Sequence, residues 1–249
     1  MLVVTIASDA ELLALRKKVA LKDQTVCAGS LYMKALLNGR EILLVKTGIG
    51  PKKALSAAKY ITRHFSPSRV LSIGAAGATD PSLQVGDIVL VDSVLREAGA
   101  HNHAGSSFQT DVALRKEAAA ALGERGVTVH TGTCLTLDRF IHSKTEKRRI
   151  FSRHNVAVVD MESAALARQI SSAEIPFFDI RIVSDAAVRD TLDVYGMFMA
   201  QKRAGIAGRY LYFMKRPGEL VRAVRFRKDL ARVSSIIAQV TEVVVGALV

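Results

Sequence analysis

The sequence predicts an α/β fold in which helices flank a central sheet that is mixed or mainly parallel. Runs rich in Val, Ile and Leu recur along the chain, and most are continuous, as expected for strands that are covered on both faces. Helical stretches lie between several of these runs, which is the order typical of α/β proteins. The 249 residues, 49% of them hydrophobic, are enough to bury a substantial core.

The strands and helices can be placed in order along the chain. Strands are predicted at residues 2–7, 41–48, 69–77, 87–94, 127–135, 156–161 and 177–185. Helices are predicted at residues 10–19, 51–65, 111–126 and 162–173, and Pro51 suits a first helical turn. The first apolar run is not typical of a signal peptide, because its charged residues follow the apolar ones.

The character of the chain changes beyond Asp190. Residues 191–214 and 218–247 contain no convincing strand, and the Pro217-Gly218 pair separates two helical halves. The net charge of +12 is concentrated here, since ten basic residues face two acidic ones between Gln201 and Arg232. We therefore predict a single domain, residues 1–249, of which residues 191–249 form a basic helical C-terminal extension.

The composition also indicates the cellular compartment and whether a metal or cofactor is expected. Cys27 and Cys134 are too few and too far apart for a disulfide framework, which favours reduced thiols in a cytoplasm. No run approaches the roughly 18 uninterrupted apolar residues of a membrane helix. His101 and His103 have no nearby acids or cysteines, so the sequence predicts no metal and no cofactor.

Polar residues follow several of the predicted strands, where α/β proteins gather their ligands. The glycine-rich turns "TGIG" (47–50) and "SIGAAGATD" (72–80) suit phosphate binding but equally suit tight strand-to-helix turns. In "VVDMES" (158–163), Asp160 suits a helix N-cap and Glu162 suits the positive end of the helix dipole. Capping does not explain a methionine between two acids at a buried strand end.

Together these motifs resemble the nucleoside phosphorylase and nucleosidase superfamily, and most closely its methylthioadenosine/S-adenosylhomocysteine nucleosidase branch. The resemblance covers about residues 1–190 and rests on "TGIG", "IGAAGATDPSLQVGDIVLVD" (73–92), "LDRFI" (137–141), "VVDMESAALA" (158–167) and "RIVSDAA" (181–187). It implies a three-layer α/β/α fold with a central mixed, mostly parallel twisted sheet of the phosphorylase/hydrolase-like type.

The resemblance also implies roles for three acids. Glu162 would bind the ribose hydroxyls and stabilise the positive charge that develops as the glycosidic bond breaks. Asp185 would act as general acid towards N7 of a purine, and Glu11 would activate the attacking water. The other substrate-binding residues that it implies are Met161 against the sugar, Phe140 and Ile141 at the base, Ser184 beside Asp185, and Ala76 and Gly77 in the glycine turn.

Departures from the family pattern leave two questions open. The first acidic region contains both Asp9 and Glu11, so Asp9 competes for the water-activating role. The arginine and serine with which phosphorylases of the superfamily bind phosphate are replaced by apolar residues, and Ala75 stands where the family has serine. Phosphate needs charge-assisted donors, so water is favoured as nucleophile. Arg139 and Lys144 are the remaining candidates for a phosphate site.

The basic extension admits several interpretations. The first is a packed helix pair with a solvated basic face, and the second is binding to an anionic membrane surface, peripheral at the inner membrane. The extension also loosely resembles hopanoid-associated phosphorylase-like proteins, which would connect it to an adenosylated lipid precursor. No recognisable module indicates nucleic-acid binding.

We therefore predict a cytoplasmic nucleosidase that hydrolyses the N-glycosidic bond of a purine nucleoside, with adenine as the expected base. A homodimer is the first expectation for its assembly. Phosphorolysis of a similar nucleoside, or cleavage of an adenosylated lipid precursor, is the first alternative. A non-catalytic nucleoside- or lipid-binding protein is the second.

Overall fold

The computed structural model describes residues 1–97 and 106–248, apart from the side chain of Arg209. These residues form ten strands and seven helices. In chain order they are β1 (Leu2–Ile6), α1 (Asp9–Leu15), β2 (Ala20–Cys27), β3 (Ser30–Leu37), β4 (Arg40–Lys46), α2 (Pro51–His64), β5 (Arg69–Ala78), β6 (Ile88–Arg96), β7 (Ser106–Gln109), α3 (Val112–Gly123), β8 (Val129–Thr136), α4 (Lys144–His154), β9 (Val158–Asp160), α5 (Ser163–Ser171), β10 (Phe177–Asp185), α6 (Val194–Lys215) and α7 (Pro217–Ala247).

All ten strands belong to one mixed sheet with the order β10-β6-β8-β9-β5-β1-β4-β3-β2, and β7 pairs with β6. Because β10 also pairs with β5, five strands close into a ring from which β1, β4, β3 and β2 extend. Five of the pairings among the described residues are parallel and five are antiparallel. The sheet is therefore mixed as predicted, with parallel and antiparallel pairs in equal number.

Two apolar cores cover the sheet. One core contains side chains of α1, α3 and α7, among them Leu12, Leu114 and Ile237. The other contains side chains of α2 and α5, such as Ile61 and Leu166. Burial on both faces explains why most strands are continuous apolar runs, and it gives the helix–sheet–helix layering that the sequence predicts.

The seven predicted strands and four predicted helices all correspond to observed elements, whereas β2, β3, β7 and α4 were missed. Strand β2 is exposed at seven of its eight residues, so it has no apolar run that marks it. Helix α4, "KTEKRRIFSRH", buries only Lys147 and Ile150, so its apolar periodicity is weak. The omissions of β2 and α4 have the same cause, because an element with little buried surface has little hydrophobic pattern in its sequence.

The C-terminal extension forms α6 and α7, separated as predicted at Arg216 and Pro217, and α6 is itself kinked at Ala204 and Gly205, where the backbone is not helical. The second half of α7 packs into the core with α1 and α3, and its Val233, Ile237 and Val244 are fully buried. By length and composition α7 is also able to cross a membrane, which the sequence inspection did not detect, and 44% of its most apolar 18-residue window is buried. Packing against the sheet accounts for this hydropathy.

The two halves of α7 should respond differently to truncation of an apolar side chain. Ile237→Ala should lower the free energy of unfolding by about 2–4 kcal/mol, because it leaves a cavity in the core. Val224→Ala, which is 60% exposed on the same helix, should change it by no more than about 0.5 kcal/mol. Urea denaturation followed by circular dichroism measures both, and equal effects would contradict this division of α7.

Candidate active site

A buried arginine lies beneath the carboxyl ends of the central strands. Arg181, on β10, is 2% exposed and forms ion pairs with Asp179 at 3.0 Å and Asp160 at 3.3 Å. Its guanidinium also donates to the hydroxyls of Ser72 and Ser163, at 2.7 and 2.6 Å. Burial by itself lowers the pKa of Arg181, but the two carboxylates outweigh this effect and raise the pKa above its usual value. Arg181 therefore remains a permanent cation under the site.

Asp160 supports the turn from β9 to α5. Its carboxylate accepts from the hydroxyl of Thr136 at 2.7 Å, and from the amide and hydroxyl of Ser163 at 2.8 and 2.6 Å. It also accepts from the amide of Glu162 at 3.2 Å. These bonds satisfy amides at the start of α5, so Asp160 supports the helix as the sequence suggested, but the N-cap position is held by Glu162 and not by Asp160.

Glu162 is 6% exposed, and the "TGIG" turn holds its carboxylate. The amide of Gly50, which has a positive φ of 99°, donates to Oε1 of Glu162 at 2.7 Å. Burial, and then the charge of Asp160, raise the pKa of Glu162 to about 7. Glu162 and Arg181 line a water-sized polar cavity, together with Thr5, Ile6, Ala7, Thr47, Ser72, Ile73 and Leu166.

Glu11 lies near Arg181 and Glu162, against strand β5. Its Oε1 accepts from the amide of Ala75 at 2.7 Å, while its Oε2 accepts from the amide and hydroxyl of Ser8 at 2.8 and 2.6 Å in a capping box. A Cβ on Gly74 would lie 2.9 Å from Oε1 of Glu11 and 2.7 Å from Nη1 of Arg181. The glycine therefore lets the carboxylate and the guanidinium approach β5 closely.

The choice between Asp9 and Glu11 follows from their surroundings. Asp9 is 80% exposed in its side chain and pairs with Lys46 at 2.7 Å. Glu11 is 5% exposed and its carboxylate rests on β5. The acid that faces the strand ends is therefore Glu11.

Asp185 ends β10 and lies beside Gly77 of β5. Its Oδ1 accepts from the hydroxyl of Ser184 at 2.8 Å, and the same hydroxyl is 3.1 Å from the carbonyl oxygen of Ala76. Its Oδ2 forms a buried ion pair with Lys147 of α4. Sequence reasoning missed Lys147, because a lysine within a highly charged helix is ordinarily exposed.

One of the two base-binding residues predicted from the sequence contacts the C-terminal extension. Phe140 packs edge-to-face on Phe226 of α7, with ring centroids 6.2 Å apart. Ile141, which is 4% exposed, packs instead in a small apolar cluster with Ile150 and Val159. A second small cavity contains Asp185 and Phe226 together with Arg189, Asp190, Thr191, Arg222, Arg225 and Asp229. The basic extension therefore forms part of the wall beside Asp185.

The structure brings several of the predicted site residues to one strand end. Glu11 contacts β5 at Ala75, and Asp185 contacts it two residues further, at Gly77. Glu162 lies near Glu11, because both are close to Arg181. Met161, which precedes Glu162 in the chain, is half-buried.

His101 and His103, the histidines that the sequence analysis considered as metal ligands, lie outside the described residues. Within residues 1–97 and 106–248, no three His, Cys, Asp or Glu side chains are grouped closely enough to hold a metal ion.

The fold and the charged strand ends define an α/β protein of the class that binds ligands at the carboxyl edge of its sheet. A family model described as the phosphorylase superfamily matches residues 2–207. The chain belongs to this superfamily, and the predicted relationship is confirmed.

Individual relatives agree with this assignment. A 5'-methylthioadenosine/S-adenosylhomocysteine nucleosidase of Bacillus cereus strain B4264 is 30% identical over 207 residues, which cover 78% of this chain and 90% of that protein. The structure of futalosine hydrolase of Helicobacter pylori strain 26695 superposes with a TM-score of 0.79 at 18% identity, over 99% of this chain and 97% of that one. A Neisseria meningitidis 5'-methylthioadenosine/S-adenosylhomocysteine nucleosidase in complex with methylthio-immucillin-A gives 0.78 at 24% identity, over 99% of each chain. These structural likenesses confirm the predicted fold class.

The raised pKa of Glu162 predicts that its ionised form lowers the free energy of unfolding. Between the ordinary carboxyl value of 4.5 and about 7, the folded state retains a proton that the unfolded state has released, so stability falls as the pH rises through this window. Glu162→Gln should therefore raise the free energy of unfolding at pH ~8 by about 1–3 kcal/mol. The advantage should shrink as the pH falls towards 4.5. Denaturant melts of both proteins across this range test it, and a less stable variant at pH ~8 would contradict it.

Proposed function

We propose that this protein is a nucleosidase that hydrolyses the N-glycosidic bond of a purine nucleoside, with adenine as the base. The observation that carries the proposal is the placement of Glu11, Glu162 and Asp185 at the carboxyl ends of neighbouring strands, with their carboxylates buried. The assignment to the superfamily supports it. The curated relatives are named for 5'-methylthioadenosine and S-adenosylhomocysteine, and a structural relative for futalosine, which makes these three nucleosides the first substrates to test.

The proposed reaction divides the work among the three acids. As the bond from C1′ to N9 breaks, its electron pair stays with the purine and positive charge develops on the ribose. The carboxylate of Glu162 accepts from the ribose hydroxyls and stabilises that charge. Asp185 gives a proton to N7, so the base leaves neutral. Water adds to C1′ and gives its proton to Glu11.

The remaining predicted residues serve binding in this scheme. Met161 packs against the sugar, Phe140 stacks on the base, and Ile141 offers its backbone to the edge of the base. Ala76 and Gly77 bound the site along β5, and Ser184 orients Asp185 through the bond to Oδ1. Among these residues only Ser184 and Asp185 have side chains that are joined directly by a hydrogen bond in the described structure.

Water is favoured over phosphate by the pairing of the nearby cations. Arg139 pairs with Glu146 at 2.5 Å and Glu97 at 3.9 Å, and Arg181 is committed to two carboxylates. A phosphate would have to displace these partners and would meet the buried charges of Glu11 and Glu162. Phosphorolysis, cleavage of an adenosylated lipid precursor, and non-catalytic nucleoside binding remain the alternatives that the assay must separate.

Base release from a panel of purine nucleosides, with and without added phosphate, tests the proposal. We expect turnover that does not depend on phosphate and that yields free ribose rather than ribose 1-phosphate. Asp185→Asn and Glu11→Gln should each lower kcat by about 100- to 10,000-fold, because each removes a proton-transfer group. Asp9→Asn is the matched control and should retain near-native turnover, since Asp9 is exposed and paired with Lys46. Phosphate-dependent release, or a loss in Asp9→Asn equal to that in Glu11→Gln, would refute this assignment.

A second proposal concerns the extension, which we infer to bind an anionic membrane surface. Large apolar side chains are exposed along α6 and the first half of α7: Tyr195, Phe198, Ile206, Tyr210, Leu211, Met214, Leu220, Val221 and Val224. Exposed basic residues lie among them, namely Lys202, Arg203, Lys215, Arg216, Arg225, Arg227 and Lys228. Apolar insertion combined with attraction to anionic lipid is the mode of interfacial helices. A homodimer in the cytoplasm, peripheral at the inner membrane, is proposed with it.

Sedimentation with vesicles tests the membrane proposal. The protein should bind phosphatidylglycerol-containing vesicles, remain free of purely zwitterionic vesicles, and bind less as salt is raised. Replacing Lys202 and Arg203 with glutamate should weaken binding, at about 1 kcal/mol for each basic charge removed. The same replacement at Arg148 and Arg149, an exposed basic pair on α4, is the control. Equal loss in both double variants would contradict a site on α6.

A further inference from the structure

We propose that Lys147 is the positioning residue of Asp185 and the cation that allows Asp185 to give up its proton. The inference rests on the proposed nucleosidase reaction. Lys147 is fully buried, and its ammonium donates both to Oδ2 of Asp185 and, at 3.1 Å, to the carbonyl oxygen of Ala186. Because Ala186 follows Asp185 in the chain, the two bonds hold the carboxylate and its backbone together.

Burying the ammonium of Lys147 costs free energy, which indicates that the lysine serves the site rather than the stability of the fold. Helix α4 buries only two side chains, and the other one is the apolar Ile150. An unbranched apolar residue such as methionine would fill the same space without removing an ammonium from water. Buried ion pairs of this kind add little to stability, and titratable groups paired in a strand-end cleft are characteristic of functional sites.

The other charged side chains that line the cavity beside Asp185 are Arg189, Asp190, Arg222, Arg225 and Asp229. Four of them are paired with one another, Arg189 with Asp229 at 3.1 Å and Arg222 with Asp190 at 3.5 Å. Within the described residues, Lys147 is the cation that forms a hydrogen bond with Asp185.

The chemistry gives Lys147 a defined role. In the acid form, Oδ1 of Asp185 carries the proton and the Ser184 hydroxyl donates to the carbonyl oxygen of Ala76 instead. When this proton passes to N7, the bond from C1′ to N9 breaks, its electron pair remains on the purine, and Asp185 is left as a carboxylate. In a buried site that new charge is costly. The ammonium of Lys147 neutralises it without moving, because the contact is already formed. Lys147 keeps its own proton throughout, and Asp185 regains one from solvent after the base has left.

Lys147→Met should lower kcat by about 10- to 100-fold while KM changes by less than about threefold, since a misplaced donor slows the reaction more than it weakens binding. Arg148→Met, which removes an exposed charge from the same helix, should leave kcat and KM unchanged.

A double variant separates positioning from folding. Asp185→Asn together with Lys147→Met removes both buried charges, so no unpaired charge destabilises it. If Lys147 acts through Asp185, this double variant should release base at the same residual rate as Asp185→Asn alone. A further drop equal to that of Lys147→Met in the native background would overturn the inference, as would a Lys147→Met variant that changes KM rather than kcat.

Folding failure and failure of the proposed function give different results. Should Lys147→Met not fold, Lys147→Gln replaces it, because glutamine keeps a donor for Asp185 without the charge. If Lys147→Gln also fails to fold, as followed by circular dichroism, the lysine is structural and the inference is overturned. A native protein that releases no base from any nucleoside contradicts the nucleosidase proposal. A native protein that turns over, with Lys147→Met equally active, contradicts only the role of Lys147.

Discussion

The arrangement of this protein depends on one buried cation, Arg181, beneath a group of buried carboxylates. Asp160 and Asp179 pair with it, and Glu11 and Glu162 lie close by. Without the guanidinium, several negative charges would face each other in a medium that screens them poorly. The guanidinium does not offset the burial of Glu162 and the charge of Asp160, so the pKa of Glu162 is raised to about 7. A nearby positive charge would therefore stabilise the buried carboxylate of Glu162.

Two separate charge centres follow from this arrangement. Arg181 anchors the side of the site where Glu11 and Glu162 lie, and Lys147 anchors Asp185 on the other side. Strand β5 joins the two centres, because its small residues from Gly74 to Gly77 allow carboxylates to approach its backbone. The proposed reaction, which develops positive charge on a sugar and removes a base on the opposite side, would use such a division.

The C-terminal extension combines two roles in one helix. Its second half completes the core against α1 and α3, and its first half reaches the base side of the site through Phe226. The ion pairs from Arg189 to Asp229 and from Arg222 to Asp190 connect α7 to the segment that directly follows Asp185. A change in the position of α7 would therefore affect the segment that holds Asp185, the proposed general acid.

The sequence by itself determined the buried strands, the layering of helices on the sheet, the superfamily, and the acids Glu162 and Asp185 at the strand ends. These features are local, since continuous apolar runs and short motifs encode them within a few residues. The tertiary structure decided the rest. It buries Glu11 and exposes Asp9. It also revealed β3, and it revealed β2 and α4, which bury few side chains and so leave little apolar pattern.

The two buried cations were also decided by the tertiary structure. Arg181 was predicted only as part of a strand, and Lys147 lay in a helix that the sequence did not predict. Their roles come from partners that are far away in the chain, such as Asp160 for Arg181 and Asp185 for Lys147. Charge pairing depends on distances in space, and a single sequence records only separations along the chain.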